Sequence, residues 1–199
     1  MPGVSGECKP VTTVDNFDLT AYASERWYIQ EQAETSYLPL SWNNCVFAEY
    51  EVLPKPNFWG YTIQVHNHAE EAGGIVHDSG STICAAPGDS SDAAKLQVAP
   101  CFLPTLFAGP YWVIEYNEVE GYALVSGGQP TIPTTGGKCK NGDGVNGSGL
   151  WIFTRAQERD DTLISKVRGL ADAQGFDISV LNTVSHTKCS FNEVTAVVK

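Results

Sequence analysis

Short apolar-rich runs, each too short for a helix, recur between polar stretches along most of this chain. The runs 27–32, 46–53, 59–66, 95–98, 112–116, 122–126 and 150–154 are rich in β-branched and aromatic residues. Gly, Pro, Asn and Ser separate them, which predicts strands joined by turns. A weaker strand is predicted at 73–77. Many short strands of this kind predict a sandwich or a barrel.

One segment breaks this pattern of short runs. From Asp161 onward, Leu163, Ile164, Val167, Leu170 and Ala171 recur at helical spacing. Asp160 or Asp161 can cap its start, and Gly175 can end it in a left-handed conformation. The expectation is a helix over about 161–174, then a short strand over 178–181. Strands, one late helix and a last strand make a restrictive order, for which a plain sandwich has no use.

Two stretches read as loops. Residues 85–94 are small and polar. Residues 127–149 carry eight glycines and two prolines and predict a long mobile excursion, tethered at Cys139.

Composition narrows the class. With 199 residues, 42% of them hydrophobic, the chain can build one full core. No run approaches the roughly 18 apolar residues of a membrane-spanning helix. A net charge of −11 repels nucleic acid and anionic lipid. Residues 1–15 lack the basic start and apolar run of a signal peptide, so the chain reads as a mature or trimmed form.

The six cysteines are Cys8, Cys45, Cys84, Cys101, Cys139 and Cys189, none of them in a C-x-x-C pair. Three disulfides in an oxidising compartment is the preferred reading, with six reduced thiols as the alternative. Spacing cannot choose among the 15 possible connectivities. Asn146-Gly147-Ser148 is a glycosylation sequon, relevant if the chain passes through an endoplasmic reticulum.

Three segments then carry a resemblance. They are Asn16-Phe17-Asp18-Leu19-Thr20-Ala21-Tyr22 leading to Arg26-Trp27-Tyr28; Pro110-Tyr111-Trp112-Val113-Ile114 leading to Tyr122-Ala123-Leu124-Val125; and Leu150-Trp151-Ile152-Phe153-Thr154-Arg155. In this order they resemble the three signature regions of the lipocalins. Two departures are Glu25, where the family usually has glycine, and Asn117-Glu118-Val119, where it has Thr-Asp-Tyr. The resemblance implies an all-β fold: an eight-stranded antiparallel up-and-down barrel with a C-terminal α-helix. The whole chain, 1–199, would be one such domain, with the barrel at about 24–155, the helix at about 161–174 and a strand and tail at 176–199. It also implies that Trp27 plugs the closed end of the barrel under Arg155, a cation–π contact of roughly 0.5–2 kcal/mol.

Gly6-Glu7-Cys8-Lys9-Pro10 and the cysteine pattern resemble apolipoprotein D and the bilin-binding lipocalins, which implies the pairs Cys8–Cys139 and Cys45–Cys189. Cys139 lies farther along than in those relatives. Cys101-Phe102-Leu103 and the Tyr-Ala-Leu-Val-Ser-Gly run are similar to the chloroplast lipocalins, which implies a third pair, Cys84–Cys101. The compartment implied is extra-cytoplasmic: secreted, or the thylakoid lumen.

The function implied is binding or transport of a small hydrophobic ligand in the barrel: a bilin, carotenoid, fatty acid, sterol or retinoid. No cofactor is required by this reading. Tyr50 and Trp151 match ligand-contacting residues of apolipoprotein D. Val46 and Ala48 share a strand face with Tyr50, Phe153 shares one with Trp151, and Tyr61 lies near the expected rim. The plain alternative for each aromatic is core packing. A carotenoid enzyme similar to violaxanthin de-epoxidase is disfavoured, because Asn43 and Asn44 precede Cys45 and an amide cannot relay a proton. His66, His68 and His77 could meet across two strands to hold a metal, but exposed histidines beside a turn are the simpler reading. A scaffold role for the barrel rim is a further alternative, with no protein partner identified.

Overall fold

A computed structural model describes residues 7–191 of the chain. Gly6, quoted above in the N-terminal motif, and the tail beyond Phe191 lie outside the described residues. A short helix, α1 (Leu19–Tyr22), precedes the sheet, and the Asp18 carboxylate caps it by accepting from the Thr20 and Ala21 amides. The strands are β1 (Trp27–Ala33), β2 (Asn44–Val52), β3 (Ile63–Glu70), β4 (Val76–Asp78), β5 (Ile83–Pro87), β6 (Lys95–Pro100), β7 (Gly109–Asn117) and β8 (Tyr122–Ser126). They continue with β9 (Ile132–Pro133), β10 (Cys139–Lys140), β11 (Leu150–Thr154) and β12 (Leu181–Thr183), and α2 (Asp161–Gln174) lies between the last two.

Strands β1, β2, β3, β5, β6, β7, β8 and β11 pair antiparallel in that order, and β11 returns to β1. This closes an eight-stranded barrel and removes the open edges of its sheet. Strand β4 extends the β3 pairing, and β12 lies against the far end of β1.

Two apolar layers result from strand alternation. Inward residues such as Ile29, Val46, Ala48, Val65, Val113, Ala123, Val125 and Phe153 form the barrel core. Their outward neighbours Ile114, Tyr122, Leu124, Leu150 and Ile152 are covered by Ile164, Val167 and Ala171 of α2. The helix is capped as its sequence predicts. Asp160 accepts from the Thr162 and Leu163 amides, and Gly175 adopts φ +96°. Burying its apolar stripe on the barrel wall is what holds a helix this short in place.

The structure corrects several boundaries. The third strand begins at Ile63, not at Trp59, because the Asn57 side chain accepts from the Trp59 and Tyr61 amides and folds a turn with Gly60 at φ +89°. Strand β5 occupies the first part of the predicted 85–94 loop. Two alanines and a proline carry little strand preference, but β3 and β6 bracket them on both sides. The last strand starts at Leu181, since Asp177 caps a 3₁₀ turn over Ile178–Val180. The 127–149 excursion carries the β9–β10 ribbon, and the Asn141 side chain ties it to the Ser126 hydroxyl and the Gly149 carbonyl.

Disulfides join Cys8 to Cys139, Cys45 to Cys189 and Cys84 to Cys101. These are the three pairs that the resemblance implies. The first fastens the N-terminal segment to the β10 ribbon. The second pins the chain after β12 to the start of β2. The third bridges the β5–β6 hairpin.

Candidate functional site

A cavity of about 800 Å³ runs down the barrel axis and opens at one end. That volume lies within the range of small-molecule sites, about 300–1,000 Å³. Its walls are set by parity. Val46, Ala48 and Tyr50 are every second residue of β2, and Trp151 and Phe153 are the inward residues of β11. All five candidates therefore line one space. Ile29, Val65, Ile83 and Val98 complete the apolar wall.

Tyr61 is the exception. It is fully buried outside the barrel wall, packed with Cys84, Ala86 and Ala99, and does not line the cavity. The turn at Asn57 places its side chain outside the barrel wall instead of at the rim. Its hydroxyl is buried without a hydrogen-bond partner.

The closed end is built from α1 and the ends of the barrel strands. Trp27 is fully buried there, and its indole N–H donates to the Tyr22 carbonyl at 2.9 Å. Arg155 follows β11, with its guanidinium carbon 3.6 Å from the Trp27 ring centroid. The same guanidinium donates to the carbonyls of Glu25, Ala21 and Tyr22 and pairs with Glu118 at 3.0 Å. One cation thus satisfies the exposed carbonyls of α1 and covers the plug.

Above the plug sits a cluster that the sequence reading did not assemble. The Tyr22 and Tyr111 hydroxyl oxygens lie 2.6 Å apart, and those of Tyr111 and Tyr50 lie 2.7 Å apart. Tyr50 and Tyr111 line the cavity, whereas Tyr22 is beneath them with no exposure. Burial raises all three phenols, Tyr50 to about 12, so all three are protonated at neutral pH. Tyr111 belongs to the second signature segment. Its two-residue offset from inward-facing Val113 is the sequence signal that would have placed it.

The open end gathers Tyr37, Leu38, Trp42, Leu103, Phe107 and residues 145–148 from three loops. Phe107, Val145 and neighbouring Leu106 and Phe102 are exposed there, and Asn146 of the sequon is exposed at the mouth. Gly149 adopts φ +92°, and a Cβ there would fall 2.1 Å from the Trp151 ring, so this glycine is what admits the indole to the cavity wall.

The three histidines do not converge. His66 lies between Glu49 and Asp78, His68 between Glu70 and Asp78, and His77 stacks on Trp42 while bonding Glu71. Two residues before Cys45, the Asn43 side-chain oxygen accepts from the Gln32 side-chain amide at 2.8 Å.

Solved structures with the same architecture span this chain nearly end to end. Lobster apocrustacyanin A1 superposes with a TM-score of 0.62 at 18% identity, covering 96% of each chain. The barrel is a lipocalin fold. Apocrustacyanin C1 gives a TM-score of 0.63 at 17% identity over 96% of each chain. Insecticyanin from the tobacco hornworm Manduca sexta gives 0.60 at 15% identity, over 92% of this chain and 88% of that one. No protein-family model matches the sequence, and no curated protein matches it. The likeness therefore lies in the lipocalin barrel and not in close sequence kinship. No described helix is long and apolar enough to cross a membrane.

Proposed function

We propose that this protein binds and carries a small hydrophobic molecule in the barrel cavity, without catalysing a reaction on it. The observation that carries this reading is the cavity itself: about 800 Å³, apolar along its walls and open at one end. Burying apolar ligand surface there is worth roughly 25 cal/mol per Å², less the cost of association. Val46, Ala48, Tyr50, Trp151 and Phe153 supply contact area, and the tyrosine hydroxyls supply orientation. The candidate ligands are those implied by the resemblance: bilins, carotenoids, fatty acids, sterols and retinoids. Three disulfides support an oxidising, extra-cytoplasmic compartment, with secretion and the thylakoid lumen both compatible.

The test is titration with N-phenyl-1-naphthylamine, a neutral apolar dye that fluoresces when removed from water. Saturable binding at one site is expected. Trp151→Ala should weaken it about tenfold or more while costing less in folding stability, because Trp151 is only half-buried and faces the cavity. Absence of binding by the native protein, or unchanged affinity in Trp151→Ala, would overturn the assignment of this cavity.

A further inference from the structure

The floor of the cavity has one hydrogen-bond donor too many. Tyr22, Tyr111 and Tyr50 bring three hydroxyl protons, and the two contacts among them use two. Tyr22 and Tyr50 also approach each other, but not in hydrogen-bonding geometry, and the three hydroxyls have no other partner among the described residues. A phenol has one proton and accepts more than one bond, so three arrangements are possible. If Tyr22 donates to Tyr111 and Tyr111 to Tyr50, the unused proton is on Tyr50. If Tyr22 and Tyr50 both donate to Tyr111, it is on Tyr111. Both of these residues face the cavity. Only the reverse relay leaves it on Tyr22, which is sealed beneath the floor, where an unpaired donor is costly. The spare proton is thus driven to the cavity side.

Charge narrows the acceptor that meets it. Among the described residues no lysine or arginine lines the cavity, and Asp78 stands near its mouth. Arg155 is committed to the α1 carbonyls and Glu118 on the far side of Trp27. A carboxylate at the floor would be a buried charge without a counter-ion, which is strongly unfavourable. A hydrocarbon end would leave the proton unmet once solvent is displaced. A hydroxyl end would satisfy it but bring another proton to place. A carbonyl oxygen accepts without donating and without charge.

Resting on the carrier reading, we propose that the Tyr22–Tyr111–Tyr50 trio selects ligands that enter the barrel with a neutral carbonyl oxygen foremost, a ketone or aldehyde at the end of an apolar frame. Fatty acids are then disfavoured in the head-down orientation. The burial that holds the three phenols protonated keeps this donor available across the neutral range.

The experiment compares three probes of equal chain length: dodecane, 2-dodecanone and dodecanoate at pH 7.5, each displacing N-phenyl-1-naphthylamine. It is run on the native protein and on Tyr50→Phe/Tyr111→Phe, because either single change leaves one cavity-facing phenol with a free proton. Loss of about tenfold in 2-dodecanone affinity in the double variant, with dodecane affinity unchanged, is the expected result. Dodecanoate should bind the native protein more weakly than the ketone. Equal loss for ketone and dodecane, no loss for either, or tightest binding by dodecanoate would overturn the proposal while leaving the carrier reading intact. Failure of every probe and of the dye to bind the native protein would remove both. Should the double variant not fold, the carbonyl stretch of 2-dodecanone labelled with carbon-13 decides the matter in the native protein. A shift below its value in hexane is expected, and an unshifted band would overturn the proposal.

Discussion

Arg155 stacks on Trp27, with its guanidinium carbon 3.6 Å from the indole centroid, and the two residues come from opposite ends of the barrel sequence. The contact joins the last barrel strand to the first. It also fixes α1, because the same side chain collects the carbonyls of Ala21, Tyr22 and Glu25. Arg155→Leu should therefore cost about 3 kcal/mol, combining a mostly desolvated cation–π contact with carbonyls left unmet. Arg155→Lys should recover less than half of that, since an ammonium cannot span the same acceptors. Urea unfolding of the two variants measures both values.

The Cys45–Cys189 bond closes a loop with a sequence separation of 144, and Cys84–Cys101 one of 17. In the chain-entropy account these restrict the unfolded chain by about 5 and 3 kcal/mol respectively. Replacing Cys45 and Cys189 together by serine should lower stability more than replacing Cys84 and Cys101, again read from urea midpoints. The reverse order would show that local geometry of the β5–β6 hairpin outweighs loop entropy.

Tyr61 separates packing from ligand contact. Its hydroxyl is buried and unpaired, and burial raises its pKa. Tyr61→Phe keeps the ring and removes that group, so stability should rise by about 1 kcal/mol. Affinity for N-phenyl-1-naphthylamine should not change. A fall in affinity would place Tyr61 in the ligand's path.

The outer face of β2 and β3 carries a pH dependence. Burial disfavours the protonated His66 ring, but hydrogen bonds to Asp78 and Glu49 outweigh it and raise its pKa. Burial likewise opposes ionisation of Glu49 and Asp78, and their bonds to His66, together with Arg26 and the Gly80 amide, lower both. A raised histidine contributes fully below its ordinary value of 6.5 and loses that contribution as pH climbs through the raised one. The lowered carboxylates contribute above their ordinary values of 4.5 and 3.8 and lose it as pH falls through the lowered ones. The cluster therefore stabilises most between about pH 4.5 and 6.5. His68 and Glu70 share the face, and buried His186 titrates in the opposite sense, so the comparison must be with His66→Gln. The native protein's melting temperature should exceed the variant's by most near pH 6, and the gap should narrow towards pH 8. A gap constant with pH would show that His66 acts by packing alone.

Several elements were legible in the sequence for physical reasons that act locally. Seven strand runs carried their own composition and flanking turn residues. Helix α2 carried its apolar spacing, its Asp160 cap and its terminal Gly175. Trp27, Arg155 and the cysteine pairs came instead through the resemblance, because nothing local in the chain says which distant partner each will meet.

The remainder depended on closure of the barrel. Strand β5 exists because β3 and β6 offer it hydrogen bonds on both sides, which overrides the weak preference of Ala85-Ala86-Pro87. Tyr61 left the cavity because one side chain, Asn57, turned the chain before β3. The tyrosine trio joins α1, β2 and β7, and its two contacts span 89 and 61 residues. The sequence by itself determined most of the strand segments and where the late helix starts and stops. Only the tertiary structure decided which alternate set faces inward and which hydroxyls meet, because strand parity is fixed by bulges and pairing partners that are remote in the chain.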